Sequence, residues 1–560
     1  MNSWNVVSPL QQALWKQKLE LPPVLSKGPV TIVEGEATSS VADQNEITKM
    51  FPNLFGKKIL SFTDGQPKNV SQEYTVGVIL SGGQAPGGHN VIAGIFDALK
   101  AANPKNRLIG FLGGPGGLIE GKYKELMSDE IDSIRNTGGF DVIGSGRAKL
   151  ETLDQFEKTV AVCQKLHVNA ILIIGGDDSN TNAALLAEYL LQQKIPIQVI
   201  GVPKTIDGDL KNKMIETSFG FDTATKVYAE VVGNIAKDAN SSKKYWHFVK
   251  LMGRSASHIT LEVALQTHAN VTFISEEVAH KNITLDELVN SLCNVILQRA
   301  NLGKNFGLVL IPEGLIEFIP EMKRLISELN TLSAKNEKFK TLSDFTSQTN
   351  FTAENISKES ALLFRSLPQD IQAQMMRDRD DHGNVTVSQI ETDKLLISLC
   401  SSTLKNWKAL GKFSPINHFF GYEGRCASPT RFDARYTYVL GFSAFQLIRA
   451  GVSGYMTCIK NTWKPVAEWI PGGIPLTMMM NIEERRGHKK AVIQKALTDL
   501  NGNPFKMLEI HRKQWALSEE YRIPGPIQYF GPEEVCGQPT ATLLLENSNV
   551  GNGECNIRRY

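Results

Sequence analysis

The chain has little from which to build a staple, an anchor or a polyanion grip. Its seven cysteines, Cys163, Cys293, Cys400, Cys426, Cys458, Cys536 and Cys555, are odd in number and never form CxxC. That gives no indication of a disulfide framework or a zinc site. No stretch approaches the roughly 18 consecutive apolar residues of a membrane span. The opening MNSWNVVSPLQQALWKQKLELPP has no basic start leading into an apolar run, so a cytoplasmic protein without membrane contact is expected. The formal charge is only +2 over 560 residues, which gives no reason to expect a nucleic-acid partner. Two nucleotide cradles are missing as well. GxxxxGK[ST] does not occur, and GSGRAK at 144–149 lacks the third glycine of a dinucleotide fingerprint.

What is present is size and a recurring unit. A chain of 560 residues exceeds what one core supports, so more than one domain is expected. From Tyr74 onward a short apolar run is followed by glycine or charged residues and then by a helical pattern, the signature of an α/β fold. The runs are YTVGVIL (74–80), RLIGFL (107–112), AILII (170–174), IQVIGV (197–202), HFVKLM (247–252), VTFI (271–274) and FGLVLI (306–311). Continuous rather than alternating apolarity predicts parallel strands covered on both faces. The stripe Ala224, Val227, Tyr228, Val231, Val232 and Ile235 predicts a helix over 222–238. Residues 1–72 read as an appended arm with an amphipathic pattern around Leu10 to Leu19. The polar, Asn/Ser/Lys/Glu-rich segment 320–405 reads as a helical insertion on the surface.

Five of the strands end in loops suited to binding. These are SGGQAPGGHN (81–90), GGDDSN (175–180), PKTIDGDLKN (203–212), LMGRSASH (251–258) and PEG (312–314). Any one of them reads equally well as an ordinary turn; five at carboxyl strand ends, where α/β sheets bind ligands, point to a site. The residue types suit phosphoryl transfer. Gly82 and Gly83 let backbone approach an anion, and a helix beginning near Gly88 aims its N-terminus there. Asp177 is placed to hold Mg²⁺, which takes carboxylate, phosphate oxygens and water. Thr205, Asp207 and Asp209 alternate along what reads as an extended tip, which would put them on one face and supply a base with a partner that tunes it. Lys204 and Arg254 supply cations for the charge that develops on a transferring phosphoryl group.

These five motifs, followed by GYEGR (421–425) and taken in this order, resemble the phosphofructokinase family over about residues 74–460. GGDDS with PKTIDGD, the chain length and the arm resemble its long, pyrophosphate-dependent branch. The resemblance implies two Rossmann-like parallel-sheet domains. Residues 73–218, with a return at about 429–490, would bind pyrophosphate and metal. Residues 219–428 would bind fructose 6-phosphate, and 491–560 would form a C-terminal segment. It further implies reversible transfer of phosphate from pyrophosphate to the 1-hydroxyl of fructose 6-phosphate, in glycolysis or gluconeogenesis, with Mg²⁺ as cofactor.

By the same resemblance, Gly82 would lie against the pyrophosphate, with Arg147 as a further phosphate ligand, and Asp177 would bind the metal. Thr205, Ile206 and Asp207 would line the sugar site, Asp207 as the base and Asp209 assisting it. Met252, Gly253 and Arg254 would contact the sugar phosphate and the transferring group. Glu313 would bond the sugar hydroxyls, and Tyr422, Glu423, Gly424 and Arg425 would close on the 6-phosphate. Lys244 and Tyr245 would reach into a neighbouring subunit's site, which implies a homodimer with shared sites. Donor choice would follow from Asp178, where ATP-using relatives carry glycine, together with Lys204, which also replaces a glycine. At an effective dielectric of ~20, a like charge ~4 Å away costs on the order of 4 kcal/mol, enough to exclude the longer ATP chain. An ATP-dependent enzyme that tolerates Asp178, or a non-catalytic regulatory subunit, remains the alternative at this stage.

Overall fold

The apolar runs become strands with no exposed face. The computed structural model describes residues 7–65, 72–336, 339, 342, 344–377, 379, 384–408, 411–485 and 488–548. The chain divides into two compact units. Met1–Ala224, Gly424–Ala496 and Ile527–Pro539 form the first, and Thr225–Glu423, Leu497–Pro526 and Thr540–Tyr560 the second. Strands β1 (Val30–Ala37), β2 (Lys58–Asp64), β3 (Thr75–Leu80), β4 (Arg107–Phe111), β5 (Tyr123–Glu125), β6 (Ala170–Gly175), β7 (Gln198–Thr205) and β8 (Phe219–Gly220) belong to the first unit. The second contains β9 (Trp246–Leu251), β10 (Val271–Thr272), β11 (Gly307–Pro312) and β12 (Pro415–Phe420). The chain then gives the first unit β13 (Tyr455–Lys460), β14 (Ile470–Pro475), β15 (Met480–Arg485) and β16 (His488–Ile493).

In the first unit the sheet order is β1-β2-β14-β13-β7-β6-β3-β4-β5, with β8 beside β7. Its centre, β13 to β4, is parallel. β3 and β6 are buried at every residue, as expected for strands covered on both faces. The helix Asp177–Gln192 packs on β6 and β7 and helps to bury Ile171, Ile173, Ala183 and Leu186 in one core. In the second unit β10-β11-β9-β12 is parallel throughout. The predicted helix over 222–238 runs Phe221–Ser242. No described helix is long and apolar enough to cross a membrane.

The fold departs from the sequence reading in three places. The segment 1–72 supplies two strands as well as the helix Pro9–Trp15, because β2 pairs with β14 and extends the main sheet. That edge depends on glycine: a Cβ on Gly472 would meet the Leu60 carbonyl oxygen at 2.1 Å. PINHFF forms β12, a half-exposed strand beside β9 whose polar residues break the continuous apolar signal. The segment 320–405 is helical but not a surface ornament. Leu325, Leu329, Phe364, Met375 and Leu396 are buried in one core with Trp246, Phe248 and Val309 of the sheet. Its helices are polar on one side only, and the apolar side completes the second core.

Candidate active site

The first unit concentrates charge at the ends of three neighbouring strands, β3, β6 and β7. After β3 the chain turns through Gly82 (φ +83°) and Gly87 (φ +105°) into the helix Gly88–Ala102, a left-handed path that favours glycine. The Gly82 N–H donates to the Gly146 carbonyl at 2.9 Å. This brings the GSGR segment against the turn and leaves Arg147 exposed beside it. A Cβ on Gly82 would stand 3.3 Å from Lys204 Nζ, and one on Gly83 would stand 3.3 Å from Arg425 Nη1. Two cations therefore face the glycine turn. Lys204 Nζ donates to the Gly83 carbonyl at 2.8 Å.

After β6 the helix Asp177–Gln192 starts at once, with Gly176 at its N-cap and no side chain capping it. Its first N–H groups and the positive end of its dipole are thus available to an anion. Gly175 has to be glycine, since a Cβ there would lie 2.3 Å from Ser179 Cβ. Ser179 Oγ in turn donates to Ser81 Oγ at 2.8 Å, and Asn180 Nδ2 donates to the Gly175 carbonyl at 2.7 Å. These buried bonds lock the helix start to the β3 turn. Asp177 is half-buried and Asp178 is exposed. Water therefore screens Asp178, and the repulsion expected from it drops toward the ~1 kcal/mol of two charges ~4 Å apart in water.

After β7 the expected extended tip is replaced by a turn. β7 ends at Thr205, the Asp207 N–H donates to Thr205 Oγ1 at 3.0 Å, and Gly208 adopts φ +74°. Asp207 and Asp209 are brought close by this turn rather than by strand alternation. Burial, then the neighbouring Asp207, pushes the Asp209 carboxyl up to about 7, opposed by Lys495 and a hydrogen bond from Thr205. Asp207 Oδ1 is buried with no hydrogen-bond partner among the described residues. Burial, then Arg425, pulls the Lys204 ammonium down to about 8, against Asp177, Asp207 and Asp209. One buried lysine thus senses the acids of two loops and an arginine beside a third.

The β7 end is strapped in place. β8 pairs Phe219 with Lys204 and Gly220 with Thr205, and Ser218 Oγ donates to the Thr205 carbonyl at 3.0 Å. Ile206 is buried against Gly220. Asp433, on the helix Arg431–Arg449, accepts from the Gly220 N–H at 3.1 Å and the Thr223 N–H at 2.9 Å. Thr430 Oγ1 donates to Asp222 at 2.6 Å in the same buried cluster. Neither Lys495 nor Asp433 stands out in the sequence: one follows a hairpin and the other reads as an ordinary first-turn acid.

The second unit carries a different arrangement at the ends of β9, β11 and β12. Glu313 is buried, and its Oε2 accepts the Gly253 N–H at 3.0 Å. Gly253 has φ +120°. A Cβ on Gly314 would lie 1.8 Å from the Arg254 carbonyl oxygen, so the PEG turn lies flat against the MGR turn. Arg254 is exposed. Met252 is buried; its N–H donates to the Phe420 carbonyl at 3.0 Å, and a Cβ on Gly421 would meet its Cε at 2.9 Å. Glu423 Oε2 accepts the Gly421 N–H at 2.8 Å, and Tyr422 is exposed. Gly424 and Arg425 belong to the first unit. Lys244 and Tyr245 are not with this group. They are exposed at the other end of β9, whose 6 residues separate them from Met252 by about 20 Å at ~3.3 Å per residue.

Residues 75–352 match the phosphofructokinase family model. The chain is 55% identical over 531 residues to pyrophosphate–fructose 6-phosphate 1-phosphotransferase of Porphyromonas gingivalis, covering 94% of this chain and 97% of that one. The chain belongs to the phosphofructokinase family. Within that family it is also 49% identical over 542 residues to pyrophosphate–fructose 6-phosphate 1-phosphotransferase of Entamoeba histolytica, with 96% and 99% of the two chains covered. Among solved structures, the pyrophosphate-dependent phosphofructokinase of Nitrosospira multiformis has a similar fold at 17% identity. The TM-score is 0.53, with 85% of this chain and 98% of that chain covered.

Proposed function

We propose that this family member catalyses the reversible transfer of phosphate from pyrophosphate to the 1-hydroxyl of fructose 6-phosphate, giving fructose 1,6-bisphosphate and phosphate. Relatives of nearly the same length and about half identical in sequence bear the name of that activity. The observation that carries the donor is Lys204, a buried cation against the Gly82–Gly83 turn with Asp177, Asp207 and Asp209 around it. It offers a fixed positive charge close to backbone, where a short anion fits.

On this reading Asp207 takes the proton from the sugar's 1-hydroxyl as its oxygen bonds to phosphorus and the bond to the leaving phosphate breaks. Its buried, unpartnered Oδ1 is suited to accept that proton. Asp209, raised to about 7 and so about half protonated at neutrality, would assist. Lys204, Gly82 and the start of the helix Asp177–Gln192 would bind the pyrophosphate, with Arg147 at its exposed rim. Asp178 would stand where a nucleotide would have to pass. Thr205 and Ile206, Met252 to Arg254, Glu313 and Tyr422 to Arg425 would bind the sugar phosphate. Asp177 would hold a divalent metal, and Mg²⁺ fits: it needs only one or two carboxylates beside phosphate oxygens and water. No group of three metal-ligating side chains occurs among the described residues. When bound, such an ion neutralises phosphate oxygens. Lys244 and Tyr245, far from their own chain's Met252, would serve a second copy, making the enzyme a homodimer, and the location would be cytoplasmic. A coupled assay with purified protein tests the reading. Turnover with pyrophosphate is expected, and turnover with ATP alone would overturn it.

A further inference from the structure

Lys495 reaches the donor-side cluster from the far end of the first unit's chain. Its Nζ lies 3.6 Å from Asp177 Oδ2 and 4.0 Å from Asp209 Oδ2. The backbone on both sides of it is fixed. The Ile493 N–H donates to Thr181 Oγ1 at 3.1 Å, the Gln494 N–H to the Met479 carbonyl at 2.8 Å, and the Ala496 N–H to the Asp209 carbonyl at 2.7 Å. The hairpin β15–β16 thus lies on the helix that begins with Asp177 and delivers Lys495 to that helix's N-terminal end.

Two features argue against a plain structural ion pair. Both distances exceed the 2.7–2.9 Å of a charge-assisted hydrogen bond, so the ammonium stands between the two acids rather than docking on one. The side chain also keeps 33% of its surface exposed, unlike Lys204, which is buried. Lys204 lies among Asp177, Asp207 and Asp209, and an anion with several negative charges would have to approach these acids, so a cation within reach of two of them lowers the repulsion it meets.

We propose that Lys495 is a further phosphate-contacting residue of the donor site, its ammonium moving from between Asp177 and Asp209 onto an oxygen of pyrophosphate, or of inorganic phosphate in the reverse reaction. This rests on the function proposed above. The test uses the full-length protein with Lys495→Met, Lys495→Gln and Lys495→Arg. Steady-state kinetics in both directions are combined with calorimetric titration of pyrophosphate in the absence of sugar.

Removing the charge is expected to raise KM for pyrophosphate and for phosphate about tenfold or more, and to weaken calorimetric binding alike. KM for fructose 6-phosphate should stay within twofold, and Lys495→Arg should recover most of the loss. Thermal melts identify a variant that does not fold, and Lys495→Gln then stands in for Lys495→Met. Pyrophosphate binding within twofold of wild type would overturn the proposal. So would a fall in kcat alone, the mark of a lysine that only positions Asp209. Wild-type protein that binds pyrophosphate but turns over only ATP would sink the donor reading instead, and the binding titration would still decide the role of Lys495.

Discussion

At the ends of β6 and β7, Asp177, Lys204, Asp207, Asp209 and Lys495 interact within one cluster. At the ends of β9 and β11 the contacts are made mainly by backbone: the Gly253 N–H on Glu313, the Gly314 turn flat on Arg254, and the Met252 N–H on Phe420. Both are strand-end sites in parallel sheets, yet one places charges and the other places shape. On the proposed function, the contrast follows from what each would have to do. A group that changes charge during the reaction needs preorganised charge around it, whereas a neutral sugar ring is recognised by directed hydrogen bonds that cost little to arrange.

If the division is right, breaking each half should give a different kinetic signature. The largest effect is expected from Asp207→Ser. It should lower kcat by about 10²–10⁴-fold while calorimetry still detects fructose 6-phosphate binding. A variant of normal turnover would remove Asp207 as the base. Glu313→Gln should act on binding instead, raising KM for fructose 6-phosphate about tenfold as a charged acceptor becomes neutral and leaving KM for pyrophosphate unchanged. An equal change in both constants would erase the distinction between the units.

The smallest effect sharpens the picture of buried charge. Asp433 is raised to about 7 by burial and then by Asp222, while in an unfolded chain it would titrate near 3.9. Between those values the folded protein holds a proton that the unfolded chain has lost. Stability should therefore fall as pH rises through that window and stop falling above it. Asp433→Asn removes this titration, so its melting temperature should decline less than that of wild type between pH 5 and pH 8. Parallel declines would refute the assignment.

Much of this was legible in the sequence because the central strands are buried on both faces and read as unbroken apolar runs. The loops were legible because glycine and acid recur where strands end. What escaped has physical reasons. β1, β2 and β12 are partly exposed and lack that signature. Thr205, Asp207 and Asp209 look like an alternating strand, but the Thr205 hydroxyl takes the Asp207 N–H and Gly208 turns the chain. Lys495 and Asp433 enter through tertiary contacts across more than two hundred residues, and no local pattern announces them. Of the two residues proposed to set the donor, Asp178 is exposed and Lys204 is buried at the glycine turn.

The most direct test of the central claim, that charge in the first unit selects pyrophosphate, is the ratio of kcat/KM for pyrophosphate to that for ATP. It should be measured in wild type and in the double variant Asp178→Gly with Lys204→Gly. The account predicts that the ratio falls by about tenfold or more, as pyrophosphate loses a cation and ATP loses an obstacle. A ratio unchanged in the double variant would contradict it.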